Sequence, residues 1–374
     1  MDIVDVLIAA GKAIFVFAVL LVLTLFVIWA ERKILARMQS RLGPNRAGPF
    51  GILQSIADGV KLFMKEDIRP VAADKFIYPI APIISAVPAF LAFAVVPFGD
   101  TISIAGHRTH LQLADLNVGL LFFLAMGSVS VYGIALAGWS SGSKYPLFGA
   151  VRSSAQMISY EIAMSLSVVP VALYAGTLST RGIVEAQRNG WFVIVLLPSF
   201  LIFLLAGIAE TNRAPFDLPE AETELVAGYH TEYAGVKFAL FFLAEYIHVV
   251  TISSIAVTLF WGGWNGPRFA VARFIWPTVW YVLKTAAFVF LFFWLRASLP
   301  RLRYDQLMNI GWKFLIPIAM LWIPLAAAAR VIEARRWIFV TIGAIIAVFV
   351  LSLFVPSRTD AEQRLAEERV HERT

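Results

Sequence analysis

The chain contains no cysteine. Disulfides, cysteine-ligated iron–sulfur clusters and thiol chemistry are therefore excluded from it. Charge is also scarce: 15% of its 374 residues are charged and 59% hydrophobic, with a mean hydropathy of +0.76. A soluble domain is usually about a quarter charged. A chain this apolar cannot bury its hydrophobic surface in one soluble core and needs lipid as solvent. G-x-G-x-x-G and P-loop patterns are missing, so no nucleotide binds by those motifs. Of the five histidines, only His248 falls within an apolar run, and no second run supplies a facing histidine. That excludes bis-histidine haem ligation. Long linkers, low-complexity tracts and internal repeats are absent as well. The net charge of +6 raises nucleic acid as a partner, but the basic residues lie between apolar runs, where membrane topology explains them.

What is present is a series of long apolar runs. A bilayer core needs roughly 20 apolar residues as helix. Nine candidates occur, at 13–30, 76–98, 116–143, 153–180, 191–209, 238–267, 274–295, 314–329 and 337–356. The fold class is all-α, a polytopic transmembrane bundle. The start carries Asp2 and Asp5 against Lys12, and Glu31-Arg32-Lys33 follows the first run. This is the pattern of an uncleaved first helix rather than a signal peptide. Prolines at 79, 82, 88, 170 and 277 lie inside runs and predict kinks. With the 31–75 loop placed in the cytoplasm, 21 Lys/Arg share its side and 9 lie on the other, Lys284 being within a span. The positive-inside rule then puts the N-terminus outside and the C-terminus in the cytoplasm if 337–356 spans. Residues 1–356 form the membrane domain and 357–374 a charged tail.

Three features carry chemistry. In the 31–75 loop, a basic stretch ends in Gly43-Pro44-Asn45, and beyond it Ile52, Ile56, Val60 and Phe63 share one helical face. That helix suits the membrane interface, either as a positive-inside anchor or as an entry for an apolar ligand. Glu161, Glu245 and Lys284 lie at membrane depth. Ionisable groups there mark proton or ion handling by default, the alternative being an internal ion pair that only fixes packing. Lys284 is expected to pair, directly or through water, with Glu245 or Glu161. The third feature is the segment 210–232, where Glu210, Asp217, Glu220, Glu222, Glu224 and Glu232 accompany one Arg213. Interleaved Phe216, Leu218, Leu225, Val226 and Tyr229 predict that it packs rather than remains a solvated acidic loop. Acids held together in a partly dry place store or pass protons.

At these residues the chain resembles the H-subunit family of bacterial proton-pumping NADH:quinone oxidoreductase, which in mitochondria is subunit 1 of complex I. The resemblance rests on AERKILARMQSRLGPNRAGPFG (30–51), LQSIADGVKLFMKED (53–67), QMISYE (156–161), residues 209–246 beginning AETNRAPFDL, and RLRYDQLMNIGWKFLIP (301–317). It implies a non-redox subunit in the bacterial inner membrane, with eight family spans. The addition at 337–356 and His230, where asparagine is usual, depart from the pattern. The implied substrate is a quinone, ubiquinone or menaquinone, with no covalent cofactor and no metal, FMN and iron–sulfur clusters being carried by partner subunits. Implied partners are the soluble quinone-module subunits and small membrane-arm subunits, besides the bilayer. Arg32, Arg41, Asp58, Phe216 and Arg296 match the quinone tunnel. Glu210, Asp217, Glu220, Glu222 and Glu224 lie beside it, while Glu161, Glu210, Glu232 and Glu245 match the acids leading to the membrane arm. The competing class is a stand-alone ion-coupled secondary transporter. The missing repeat and the clustering of acids at one face count against that class.

Overall fold

The computed structural model describes residues 3–104, 107–217, 226–267 and 274–331. The helices are α1 (Ile3–Met38), α2 (Gln54–Met64), α3 (Ile77–Phe93), α4 (Gly119–Ser140), α5 (Lys144–Ala175), α6 (Thr180–Ala186), α7 (Phe192–Val195), α8 (Leu197–Glu210), α9 (Gly235–Phe260), α10 (Trp276–Ser298), α11 (Tyr304–Asn309) and α12 (Ile316–Val331). A π-helical stretch, Ile310–Leu315, joins α11 to α12. Among the described residues, six helices are long and apolar enough to cross a membrane: α1, α4, α5, α9, α10 and the α11–α12 run. The shorter α3 and α8 are apolar too. Eight of the nine expected spans thus correspond to helices, while 337–356 and the tail lie outside the described residues. A two-stranded antiparallel hairpin, β1 (Thr101–Ile104) with β2 (His107–His110), interrupts the all-α pattern.

Two expectations need correction. The first span does not end at Glu31: α1 continues to Met38. ERKILARM contains neither Gly nor Pro and consists largely of good helix formers, so the helix runs on until the Gly43-Pro44 turn. Glu31 and Arg32 therefore sit on helix rather than in a loop. Nor does every proline kink a span. Pro277 lies in the first turn of α10 and Pro79 in that of α3, where the missing N–H costs nothing. Pro82, Pro88 and Pro170 do lie inside helices.

Packing places α9 at the centre. It is the most enclosed of the long helices, and its buried Thr251, Ser253 and Thr258 return their hydroxyls to carbonyls four residues back. Small and hydroxyl side chains let membrane helices approach closely. α3 lies between α4 and α9, α5 contacts α4, α8 and α12, and α1 lies outside against α2, α9 and α10. Gly133 shows how tight α3–α4 is, because a Cβ there would fall 2.6 Å from the Ser85 backbone nitrogen. At one end of the bundle, Lys12 donates to Thr109 Oγ1 and the Gln112 carbonyl, tying α1 to the hairpin. The opposite end holds the C-terminus of α1, α2 and the start of α9.

Asp74 precedes α3 and accepts the Phe76 and Ile77 amides, both at 2.8 Å. These bonds hold its carboxyl below the usual carboxylate range, so the cap is present above that range and is lost as pH falls through the lowered value. Asp74→Ala should speed hydrogen exchange of both amides at neutral pH, whereas Asp74→Asn, which keeps an acceptor, should not. On the same side Tyr233 stacks on Tyr78 at 4.2 Å and donates to the Tyr78 carbonyl. Burial pushes the Tyr233 phenol up to about 12, so it remains a donor at physiological pH.

Candidate functional site

The site forms where α1, α9 and α10 meet the chain leaving α8. Asn212, in the left-handed region at φ 52°, turns that chain back into the bundle. Gln156 on α5 fixes the turn, its Nε2 donating to the carbonyls of Ala209 (2.7 Å) and Phe216 (2.8 Å). Arg213 is thereby held at 7% exposure. Its guanidinium lies 4.3 Å from the Tyr246 ring centre, 3.4 Å from Glu245 and 4.0 Å from Glu31. Arg296 from α10 makes a close ion pair with Glu31, and Tyr229 donates to Glu245 at 3.0 Å. Two acids and two guanidiniums thus alternate in a largely buried cluster. In such surroundings each charge depends on its neighbours, because desolvation is costly without them.

Glu31, Arg213, Tyr246 and Arg296 of this cluster line a cavity of about 500 Å³ that also includes Arg32 and Phe242. A second cavity, about 420 Å³, lies between α1, α2 and α9 and is almost wholly apolar, with walls including Leu25, Ile28, Gly59, Phe63 and Leu243. Arg32 and Phe242 line both. The greasy groove therefore adjoins the charged chamber, with the Arg32–Asp58 ion pair beside their shared wall. Ile56, Val60 and Phe63 of α2 are exposed and line this groove, as an apolar face of an interfacial helix would.

The other expected residues fall in different places. Phe216 is buried against Tyr160, at 5.7 Å between ring centres, and lines neither cavity. Arg41 lies exposed beyond α1 and lines neither either. Asp217 pairs with Arg301 at 3.2 Å. Glu210 and Glu161 lie deeper, around the middle of α4. Glu161 accepts from Ser128, and Glu210 Oε1 faces Gly127. Glu210 Oε2 is buried without a hydrogen-bond partner among the described residues. Ser130, also on α4, meets His248 of α9 at 3.0 Å. The carbonyl of Glu232 accepts from Tyr78. Glu220, Glu222 and Glu224 lie outside the described residues.

Lys284 makes no direct pair with a carboxylate among the described residues. Its ammonium donates to three carbonyls, those of Trp261 (2.7 Å), Gly263 (3.0 Å) and Asn265 (2.7 Å), and lies 4.7 Å from the Trp191 ring centre. The chain leaving α9 presents carbonyls that α9's own amides no longer satisfy, and a cation at a helix C-terminus also complements the dipole. Three acceptors use all three ammonium protons.

A protein-family model described as NADH dehydrogenase matches residues 11–327. The chain belongs to this family. Two relatives, from Frankia casuarinae and Frankia alni, are each named as the H subunit of NADH-quinone oxidoreductase. Each is 55% identical to it over 365 residues, covering 96% of this chain and 81% of the relative. The NADH dehydrogenase match spans α1 through most of α12 and so includes both cavities and the buried acids. Glu31, Arg213, Tyr246 and Gln156 were not singled out as site residues from the sequence. One signal for Arg213 was available: it is the lone base among six acids in 210–232.

Proposed function

We propose that this chain is the membrane subunit of a proton-pumping NADH:quinone oxidoreductase that admits quinone and links its reduction to proton movement. The observation that carries this reading is the sharing of Arg32 and Phe242 by the apolar groove and the charged chamber. The isoprenoid tail enters between α1, α2 and α9, and the headgroup reaches the arginines. Electrons come from partner subunits bearing FMN and iron–sulfur clusters. Reduction to quinol takes two electrons and two protons, and until the protons arrive the headgroup is negative. Arg32, Arg213 and Arg296 stabilise that charge.

A charge in the chamber also acts on nearby acids. At about 10 Å and an effective dielectric near 20, one charge perturbs a carboxylate by roughly 1.7 kcal/mol, a little over one pKa unit. Glu31 lines the chamber and Glu245 lies behind it against Arg213, while Glu210 and Glu161 lie further in, towards α4. The acids of the segment 210–232 take part in this coupling, and several acids acting together supply what one charge does not. Lys284 is left out of this route because its protons are committed to carbonyls.

A photoreactive quinone analogue should label α2 and the first turns of α9 in the assembled complex. Labelling confined to the hairpin end would overturn the reading. Gly59 gives a sharper test, because it lines the groove and a Cβ there meets nothing within 4 Å. Gly59→Phe should leave the fold intact and obstruct the entrance. The expected result is a KM for quinone raised about tenfold, equivalent to roughly 1.4 kcal/mol, with kcat little changed.

A further inference from the structure

Three groups able to carry a proton reach α4 from three different helices within a single turn. Glu210 Oε1 of α8 faces Gly127, Glu161 of α5 accepts from Ser128, and the imidazole Nε2 of His248 on α9 lies 3.0 Å from Ser130 Oγ. Gly127 to Ser130 is about 4.5 Å of helix at 1.5 Å per residue. On α9, His248 stands three residues beyond Glu245 on the same face, a spacing that sets Cβ atoms about 5–6 Å apart. We propose that His248 and Ser130 form a proton relay from Glu245 to the Glu210–Glu161 pair. This relay rests on the coupling of quinone reduction to proton movement set out above, and supplies the step between its outer and inner acids.

Three features separate a relay from a packing bond. First, the Ser130 hydroxyl is buried, and its one hydrogen bond among the described residues is the one with His248. The buried hydroxyls of Ser141, Thr251 and Ser253 instead satisfy themselves on a carbonyl four residues back. Second, a helical side chain leans over the turn that precedes it, which for His248 is the turn of Glu245. The ring thus spans from that turn to α4, although α3 lies between α4 and α9. α3 itself contributes no Asp, Glu, Lys, Arg or His that could take the proton instead. Third, Glu210 is buried and its Oε2 has no hydrogen-bond partner among the described residues, which leaves an open acceptor at the inner end. Imidazole suits the step because its two nitrogens can take up and release a proton in turn. The ring accepts the Glu245 proton at Nδ1 and gives its Nε2 proton to Ser130 Oγ, whose own proton passes on to Glu210. Glu245 ends one proton poorer and Glu210 one richer. Tautomer exchange in the ring and rotation of the hydroxyl restore the starting state.

The test uses the assembled complex reconstituted in vesicles, with protons moved per electron as the measurement. His248→Gln keeps an amide in reach of Ser130 and so preserves the bond between α9 and α4, but it cannot relay a proton. The expected result is an assembled complex whose protons per electron fall several-fold. Ser130→Ala keeps the imidazole, removes the hydroxyl, and should lower the ratio to a similar extent. A packing bond alone predicts that His248→Gln pumps like the wild type. Redox-induced infrared difference spectra give a second readout: imidazole bands that appear on quinone reduction should be missing from His248→Gln. If that variant does not assemble, Ser130→Ala and the wild-type infrared spectrum decide. Wild-type pumping by either variant, or no imidazole band in the wild-type spectrum, would overturn the relay and leave the proposed function standing. A wild-type complex that reduces quinone without moving protons would overturn both.

Discussion

Arg213→Met should cost the complex its assembly or its quinone reductase activity, and Glu245→Gln should restore assembly in the double variant whereas Glu31→Gln should not. Arg213 and both of its carboxylate neighbours are largely buried, so removing the guanidinium leaves charge in a low-dielectric place. Breaking a buried pair in this way costs about 3–5 kcal/mol. The rescue is asymmetric because Glu31 also has Arg296, while Glu245 loses the guanidinium beside it. Neutralising Glu245 removes one of the two carboxylates that Arg213 balances. Neutralising Glu31 instead strands Arg296. Native gel electrophoresis of membranes reads the amount of complex, and quinone reductase assays read its function. Normal assembly and activity in the single variant, or equal rescue by both second substitutions, would show that the cluster is not held together by its charges.

The membrane architecture was legible because lipid imposes a length and a composition that soluble cores do not, and eight apolar runs became helices in the expected order. The interfacial helix was legible for the same reason: Ile56, Val60 and Phe63 repeat at helical spacing with no partner run to bury them. Partner choice was not legible. Lys284 was expected to seek a carboxylate, but the chain after α9 folds back and offers three carbonyls, a fact of local geometry that no spacing encodes. Arg213 is similar, since its burial depends on the turn at Asn212 and on Gln156 reaching across from α5. Residues that match a family motif need not touch one another either. Phe216 lies in the core behind the chamber, and Arg41 lies outside it.

Glu210→Gln is expected to abolish the proton movement that accompanies quinone reduction while NADH oxidation by artificial acceptors continues. Glu210 is 6% exposed, its Oε2 has no hydrogen-bond partner among the described residues, and it lies within electrostatic reach of Glu161. A buried carboxyl held this loosely costs stability, which favours a transport role over a packing one. An amide fills the same space but carries no exchangeable charge. Gly127→Ala approaches the same point from the other helix. A Cβ there would lie 2.9 Å from Glu210 Oε1, so the carboxylate must move, and nothing else lies within 4 Å of it. Ala in place of Gly adds roughly 0.8–1 kcal/mol of helix propensity to α4, so the fold should not suffer. Assembly should therefore be normal and coupled pumping reduced several-fold, less than in Glu210→Gln. Glu210→Asp, which keeps the charge on a shorter stem, should fall between the wild type and Glu210→Gln. Pumping stoichiometry in reconstituted vesicles is the measurement, and an assembled Glu210→Gln complex that pumps like the wild type would remove Glu210 from the route and leave Gly127 as a packing residue alone.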